Sequence, residues 1–587
     1  GKELQIRDED RRHWAYQPIP PSVTVPVVKD TGWPRTPIDR FIRAAQEKEG
    51  LAPVGEASRR RQIRRAFLDL VGLPPTADDV NRFLADEAPD AYKRLIDRLL
   101  ASPRYGERWG RHWLDLARYA DSDGYESDRD RNAAYSYRDF VIRALNEDMP
   151  YNQFVQWQIA GDELNPDDPQ AMAATGFITA GPNLITAPTD SKKNKDKYRY
   201  DELDDYVATI GTALLGMTVG CARCHDHKYD PIPARDYYRM VAVFANTRRE
   251  VTYLSRPDRE LKDFLDKARI ALRDRKMEEI GIAEEDRELL RIVLFRNNPT
   301  QRKVYDKYDK LLQFTEEGLR ASLTPEQAQA LRRLEEAAEQ QADSPMALVL
   351  RDISAETPKA YLFGRGDPEN KRDELQPGFL TVLAGAKDMG YYRAAARANV
   401  TSLPTTYNRA ALAGWLTDVE NGAGRLLARV IVNRLWYHHF GEGLVRTPGD
   451  FGVQGDTPSH PELLDWLSLE LIRNGWRLKP LHRLIMTSAV YRQDTAYDEA
   501  KSKVDPDNRL WWRRRPVRLE AEILRDAILH VSGKLNPQMY GPGFKPPVPK
   551  EAMATRSNDP YPSGGKDSPE LYRRSIYMFT KRSVRQP

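Results

Sequence analysis

The sequence is poor in cysteine, in long apolar runs and in net charge, and each shortage excludes a class of protein. Only two of the 587 residues are cysteines, so no framework of disulfides supports the fold. No segment approaches the roughly 20 apolar residues that a transmembrane helix needs. The longest candidate, Val207–Gly220, is broken by glycines and threonines and is interpreted as a buried helix. We therefore expect no membrane span.

The charges nearly cancel. Lysine and arginine number 91, aspartate and glutamate number 87, and the net charge is +4. So small an excess on so long a chain produces no field that attracts nucleic acid, and we expect no nucleic-acid partner. The first residues, GKELQIRDEDRRHW, contain no apolar signal segment, so the localisation has to be inferred from other residues.

The two cysteines stand together and are followed at once by a histidine, in Cys221-Ala222-Arg223-Cys224-His225. C-x-x-C-H is the attachment signature of c-type haem, in which two thiols bind the haem vinyl groups and the imidazole ligates the iron. The motif predicts one covalent haem c with His225 as the proximal iron ligand. Two alternatives remain open: a CxxC disulfide or redox pair, and a zinc site that adds His227 to these ligands.

The ligand on the other face of the iron separates the functions that a haem permits. A sixth protein ligand favours electron transfer, whereas an open site allows substrate chemistry. His112 is the main candidate for the distal position, because it shares a helix face with Trp109 in RWGRHWLDLARY. His227 lies too close to His225 to reach around the macrocycle, so we expect it beside the haem. The other candidates for the distal ligand are Met217, Met240 and His13.

Further polar residues are candidates for a distal pocket or a second cofactor. With an open haem site, the residues expected to line the pocket are His112, Arg118 and Asp121. An acidic string around Gly124 has the alternating oxygen ligands of a calcium loop but lacks the closing glutamate. Its members are Asp121, Asp123, Glu126, Asp128 and Asp130. Arginines and lysines that could pair with haem propionates or a sulfated glycan are Arg111, Arg118, Lys192, Lys193, Lys195 and Lys197.

The pattern of apolar positions and helix breakers predicts a mainly α-helical protein built of several parts. The predicted parts are an extended Pro-rich arm (1–35), a haem domain (36–250), an inserted helical hairpin or coiled coil (251–344), a small β element (345–405) and a helical C-terminal partner domain (406–587). A further strand is predicted at Ser575–Lys581, and one of His438 and His439 is expected at a domain interface.

Several segments, in order along the chain, are similar to the second planctomycete-type cytochrome c family domain and to its usual uncharacterised partner domain. The first group comprises TPIDRFI (Thr36–Ile42), RRAFLDLVGLPPT (Arg64–Thr76), the segment Tyr92–Glu126, the segment Tyr137–Leu164 and GTALLGMTVGCARCHDHKYDPIPARDYYRMVAVFANT (Gly211–Thr247). The second group comprises RVIVNRLWYHHFGEGLVRTPGDFG (Arg429–Gly452), HPELLDWL (His460–Leu467) and LKPLHRLIMTSAVYRQ (Leu478–Gln493).

The resemblance implies an exported bacterial protein that is periplasmic, secreted or at the cell surface. Covalent haem attachment implies the same location, because it takes place outside the cytoplasm. It also implies links to polysaccharide degradation, and it leads us to expect a truncated C-terminal domain and a second haem domain elsewhere. The function expected is electron transfer to a redox partner protein or second haem domain. The alternatives are a haem-dependent oxidoreductase acting on extracellular polysaccharide, or a glycan-binding scaffold in which the haem is structural.

Overall fold

The computed structural model describes residues 4–125, 128–183, 191–291, 299–340, 345–399, 404–548 and 567–583. The described chain is mainly helical with two small antiparallel sheets, which confirms the predicted fold class. Of the acidic string, Glu126 falls outside the described residues. Within these ranges, no helix is both long enough and apolar enough to cross a membrane.

The amino-terminal helices follow an arm that contains one 3-10 turn, Asp10–Arg12. Many of them begin where the sequence supplies an N-cap or a proline. Thr76, for example, exchanges hydrogen bonds with Asp79 in a capping box at the start of α3. The helices are α1 (Pro37–Lys48), α2 (Arg59–Leu70), α3 (Ala77–Ala85), α4 (Ala91–Leu100), α5 (Arg104–Leu116), α6 (Tyr135–Asn146), α7 (Tyr151–Leu164), α8 (Pro169–Ala174), α9 (Gly176–Thr179), α10 (Lys192–Ile210) and α11 (Ala234–Val243).

The remaining elements are an inserted helical group, two strand pairs and the carboxy-terminal helices. The inserted helices are α12 (Arg256–Glu279), α13 (Glu284–Leu290), α14 (Pro299–Leu312), α15 (Glu316–Ala321) and α16 (Pro325–Glu339). The strands are β1 (Thr247–Tyr253), β2 (Met346–Asp352), β3 (Ala360–Phe363) and β4 (Lys371–Leu375). The later helices are α17 (Met389–Asn399), α18 (Asn408–Thr417), α19 (Gly424–Phe440), α20 (Pro461–Arg473), α21 (Leu478–Met486), α22 (Ala489–Arg492), α23 (Glu499–Val504) and α24 (Ala521–Val531).

The amino-terminal and carboxy-terminal helices share one apolar core. Its buried members run from Ala15 in the arm to Trp511, and include the fully buried Trp415 and Trp436. The arm is therefore part of the packed structure, as its buried Tyr16 shows. Because both ends of the chain contribute to the same core, residues far apart in sequence can hold one site together.

Arg409 is the most heavily paired buried charge at the contact between these helices. Its guanidinium donates two 2.7 Å hydrogen bonds to the carboxylate of Asp162 on α7. It also donates to Asp352 at the end of β2, at 3.1 Å, and lies 3.2 Å from Glu163. The Arg409 and Glu163 side chains are fully buried, and burial raises the pKa of Glu163 to about 8. The charge of Arg409 therefore depends mainly on Asp162 and Asp352 for the solvation that water would give.

The inserted segment differs from the predicted two-helix hairpin. One long helix, α12, is followed by four shorter helices, α13 to α16, in the described part of the insertion. The breaks arise because Gly281 takes a left-handed conformation and because Pro299 and Pro325 begin new helices. A small separate core, made by Met277 and its neighbours, holds the group together. Strand β1, which the sequence reasoning missed, pairs antiparallel with β2 and closes the base of the insertion.

The predicted β element is confirmed in β2 and in the β3–β4 hairpin, whose turn contains Arg365 and Gly366. Within the predicted β element, the run GFLTVL (Gly378–Leu383) is not a strand. The backbone N–H and the hydroxyl of Thr381 donate to Asp236, and the backbone forms a 3-10 turn at Thr381–Leu383. The strand predicted at Ser575–Lys581 is also wrong. Asp526 accepts the backbone N–H of Ser575 and begins a 3-10 turn there.

Replacing Arg409 by leucine should strongly destabilise the protein. The substitution leaves buried carboxylates without their cation, which costs about 3–5 kcal/mol in comparable buried pairs. Urea unfolding at neutral pH measures the loss. The exposed Arg82, which pairs with Asp79 on the surface of α3, is the matched control, and Arg82→Leu should change stability by less than about 1 kcal/mol. Equal unfolding midpoints for the two variants would contradict the role assigned to Arg409.

Candidate functional site

Cys221 lies on a short 3-10 turn, Val219–Arg223, and Cys224 follows directly after this turn. Helix α10 ends in a π-turn, Gly211–Leu215, and Gly216 then takes a left-handed conformation with φ of 57°. A side chain at Gly216 would press on Phe451 and Val430, so only glycine suits both the conformation and the space. The chain is thereby turned before it reaches Cys221.

The three side chains of the predicted haem motif face solvent. Cys221 and Cys224 are exposed free thiols, and His225 is exposed as well. The Nδ1 atom of His225 lies 2.6 Å from the carbonyl oxygen of Asp226, an acceptor only, so Nδ1 carries the proton. The basic lone pair is then on Nε2. Iron-ligating and zinc-ligating histidines commonly use this arrangement, with one nitrogen donating to a carbonyl and the other binding the metal.

His227 is engaged inside the protein. Its Nδ1 accepts the backbone N–H groups of Tyr229 at 3.3 Å and Asp230 at 2.8 Å, so its proton is on Nε2. Nε2 lies 3.1 Å from the hydroxyl oxygen of Thr218. Both ring nitrogens therefore hold the loop after the motif in shape. This agrees poorly with a zinc site that includes His227, since a zinc ligand needs a free lone pair.

Arg223, inside the motif, is anchored by α10. Its guanidinium donates to Asp201 at 2.6 Å and lies 3.4 Å from Asp204. Asp204 also accepts the hydroxyl proton of Tyr237, and burial together with that carboxylate raises the pKa of Tyr237. Tyr238 donates to the carbonyl of Arg223 at 2.8 Å. The turn between the cysteines is thus tied to α10 and α11 by charged and neutral hydrogen bonds.

Three separate parts of the chain pin the loop that follows the motif. Asp226 accepts the backbone N–H of Leu4 in the arm, at 3.0 Å, and that of Ala234 at the start of α11, at 2.8 Å. Asp230, buried, accepts the hydroxyl of Tyr16 at 3.2 Å and the backbone N–H of Val453 at 2.7 Å. The arm, the amino-terminal helices and the carboxy-terminal region therefore meet at the motif.

Two glycines let other segments come close to this junction. Gly366, with φ of 74°, lies so near Cys224 that an added Cβ would be 3.2 Å from the Sγ atom. Gly452 lies against the Asp230 carboxylate, where a Cβ would be only 2.4 Å away. The approach of Gly366 to the motif was not predicted, because nothing in the sequence connects the two.

The structure does not bring the three predicted distal residues into one pocket. His112 stacks on His438, with ring centroids 3.7 Å apart. Arg118 donates to Asp205 at 2.8 Å, and Asp121 is buried between the hydroxyl of Tyr119 and the backbone N–H of Thr580. None of these contacts involves a residue of the segment Cys221–His227. The role of His112 as distal ligand stays a prediction without support from its contacts.

The other candidate ligands are also occupied or buried. Met217 and Met240 are fully buried in the shared core, and His13 lies 2.8 Å from the carbonyl oxygen of Phe451. The four described carboxylates of the acidic string all have protein partners, which are Tyr119, Arg131, Ser583 and Lys581 among others. Among the residues that the structure describes, no group of three or more His, Cys, Asp or Glu side chains could hold a metal ion.

The predicted basic residues have mixed surroundings. Arg111 pairs with Asp115 and with Glu522 of α24, away from the motif. Lys193 pairs with Glu369 in the turn between β3 and β4. Lys195 lines a cavity of about 280 Å³ together with Tyr125, Tyr198 and Asp201. A second cavity, of about 660 Å³, includes Tyr135, Arg131 and Met346 in its lining, and Asn183 lines both.

Replacing His227 by alanine should loosen the loop after the motif. Two backbone N–H groups would lose their acceptor, and a half-buried donor left unpaired costs about 1–3 kcal/mol. Urea unfolding reports the stability, and the rate of thiol labelling reports the motif. The exposed neighbour Lys228 provides the control, and Lys228→Ala should leave both unchanged. A His227→Ala protein as stable as Lys228→Ala would show that the ring does not support the loop.

Comparison with known families gives two matches. Residues 37–249 match the family model PSCyt2, described as a protein of unknown function (DUF1549). Residues 408–587 match the family model PSD1, also described as a protein of unknown function (DUF1553). No curated protein and no solved structure matches the chain. The two matches span about two thirds of the sequence, and the motif lies within the first. The chain is therefore similar to these two families over separate regions, each of which is less than half of the sequence.

Proposed function

We propose that this chain is an extracytoplasmic c-type haem protein, which binds one haem covalently through Cys221 and Cys224 and transfers electrons. The observation that carries the proposal is the state of the three motif side chains. Both thiols are free and exposed, and His225 keeps Nε2 as its basic nitrogen. These are the donors that a covalent haem requires, so the residues present fit the group.

A haem bound at the motif supplies reversible one-electron chemistry. The chain's own residues hold the attachment site in place. Arg223 is fastened to Asp201 and Asp204, and the loop after His225 is fastened at Asp226 and Asp230. A rigid attachment site suits electron transfer, because little has to rearrange when the charge changes. The exposure of the motif also leaves one edge of the site open to a redox partner protein or a second haem domain.

The proposal includes an exported location, either periplasmic or at the cell surface. Haem attachment through thioethers needs cysteines kept reduced and presented to an exported maturation system. The exposed position of both thiols makes them accessible to such a system. The rival dithiol interpretation uses the same exposed thiols, and a spectrum of the protein separates the two.

The double variant Cys221→Ala/Cys224→Ala should lose its haem. The full chain, expressed with c-type haem maturation, is expected to show one haem by pyridine haemochrome and by intact mass, and the double variant none. Lys228→Ala is the control that keeps the motif and should keep the haem. A double variant that retained its Soret band would overturn the proposal, and a wild-type chain with no Soret band would favour the dithiol or zinc interpretation.

The spin state then decides between the haem functions. A low-spin, six-coordinate spectrum supports electron transfer, whereas a high-spin spectrum that changes with carbon monoxide supports substrate chemistry at an open iron.

A second candidate, an oxidoreductase or scaffold that binds polysaccharide, is favoured by the two cavities that share Asn183. They offer three tyrosine rings, from Tyr125, Tyr198 and Tyr135, beside many hydrogen-bonding groups. Tyr125 is 54% exposed, so its ring is available to a ligand. Asp201 lines the smaller cavity and also holds Arg223 of the motif, which connects the cavity directly to the attachment site.

Binding of an oligosaccharide tests the second candidate. A sulfated oligosaccharide and its desulfated form are titrated calorimetrically into the full chain. Loss of one aromatic contact costs about 0.5–1.5 kcal/mol, so Tyr125→Ala and Tyr135→Ala should each weaken binding by about 2- to 10-fold. Tyr437→Ala, which removes an exposed ring from the otherwise buried helix α19, is the control and should bind normally. If neither oligosaccharide gave a heat of binding, or if all variants bound with equal affinity, the two cavities that share Asn183 would be excluded as the oligosaccharide-binding site.

A further inference from the structure

Four of the nine histidines meet where the region 37–249 packs against the region 408–587. His112 lies on α5, His438 and His439 lie at the end of α19, and His482 lies on α21. Trp109 of α5 contacts all four rings, with centroid distances from 4.2 Å to His482 up to 5.8 Å to His438. The cluster contains no residue of the haem motif.

The rings are arranged as neutral imidazoles. His112 and His438 stack at 3.7 Å with an angle of 24° between their planes, a separation at which two positive charges would repel strongly. Nε2 of His439 lies 2.8 Å from Nδ1 of His482, so one ring donates and the other accepts. An imidazolium has no acceptor nitrogen, and protonation of both rings would break this bond.

Three ring nitrogens of the cluster, Nε2 of His112, Nδ1 of His439 and Nε2 of His482, are buried and without a hydrogen-bond partner among the described residues. In the neutral His439–His482 pair, one of the two outer nitrogens already carries a proton and the other does not. Nδ1 of His439 is 4.0 Å from the Asp69 carboxylate, too far for a hydrogen bond. A proton added at the free outer nitrogen, or at Nε2 of His112, would be a buried donor without a hydrogen bond.

The charged groups that face the cluster act in opposite directions. The cations, which oppose protonation, are Arg108 and Arg111 on α5, Arg434 on α19, Lys479 on α21 and Arg514 between α23 and α24. The carboxylate of Asp69 on α2 favours protonation of His439, but it already accepts hydrogen bonds from Tyr491 and Arg514. Burial is the largest effect, and it lowers the pKa of all four rings, to about 3 for His438.

We propose that this histidine cluster is an acid-sensitive latch between the two regions, closed while its rings are neutral and released when they take up protons. In an opened interface the rings regain an ordinary pKa near 6.5. Above that pH neither form is protonated and the latch has no pH dependence. As the pH falls below about 6.5, the histidines of the open form become protonated while those of the closed form stay neutral. Each histidine then raises the opening constant by up to about tenfold per pH unit.

The test is the pH dependence of opening in the full chain between pH 7.5 and 5.0, a window above the range where most carboxylates titrate. Urea unfolding gives the equilibrium constant, and hydrogen exchange shows where opening occurs. We expect the constant to rise steeply below pH 6.5, and the amides of α5, α19 and α21 to lose protection first. The variant His112→Phe/His438→Phe keeps two stacked rings but removes both titrating groups. The slope of the logarithm of the opening constant against pH should therefore correspond to about two fewer protons taken up on opening.

His530→Phe, on the surface helix α24, is the matched control and should keep the wild-type slope. If the double variant does not fold, His438→Phe alone should reduce the slope by about one proton. A wild-type constant that stays flat between pH 7.5 and 5.0, or variants with the wild-type slope, would overturn the latch. Neither result depends on whether the motif carries a haem, because the cluster and the motif share no residue.

Discussion

The buried guanidinium of Arg409 is the interaction on which the arrangement of the chain depends. A charge with no access to water must be compensated by partners at short range, and Asp162, Glu163 and Asp352 provide that compensation from two other parts of the sequence. Helix α7, strand β2 and helix α18 therefore cannot move independently. The shared core around them fixes how the two ends of the chain face each other.

That constraint explains why the C-x-x-C-H motif is positioned by the whole chain rather than by its own segment. The run before the cysteines is held from the carboxy-terminal region, where Arg434 donates to the carbonyl of Thr212 and Phe451 donates to that of Gly216. The run after them is held by Val453 and by the arm. The regions matched by the two families are thus held together at one junction.

The sequence allowed the helical class and the chemically active residues to be predicted, because both depend on local pattern. The capping box at Thr76 and the spacing of Cys221, Cys224 and His225 are signals contained within a few residues. The partners of those residues were not predictable. The acidic residues Asp201 and Asp204 of α10 are evident in the sequence. Their pairing with Arg223 depends on how the chain turns at Gly216, after the end of α10.

The tertiary contacts of other candidate residues were equally unpredictable from the sequence. His112 was assigned to the haem because its helix face is aromatic, yet the tertiary fold places that face against His438 and His482. Met217 and Met240, close to the motif in sequence, are buried in the core. Ser575–Lys581 has the composition of a strand, but the Asp526 carboxylate takes the backbone donor of Ser575.

The pairing of β1 with β2 has a consequence for the inserted helices. The backbone N–H of Leu254 donates to the carbonyl of Pro345 at 3.0 Å, so the insertion leaves and re-enters the body at neighbouring points. A tight two-residue turn spans such a gap between antiparallel strands. The roughly 90 residues between Leu254 and Pro345 are therefore joined to the body at one place. We expect that they can be shortened, lengthened or replaced without changing the geometry of the junction at Cys221.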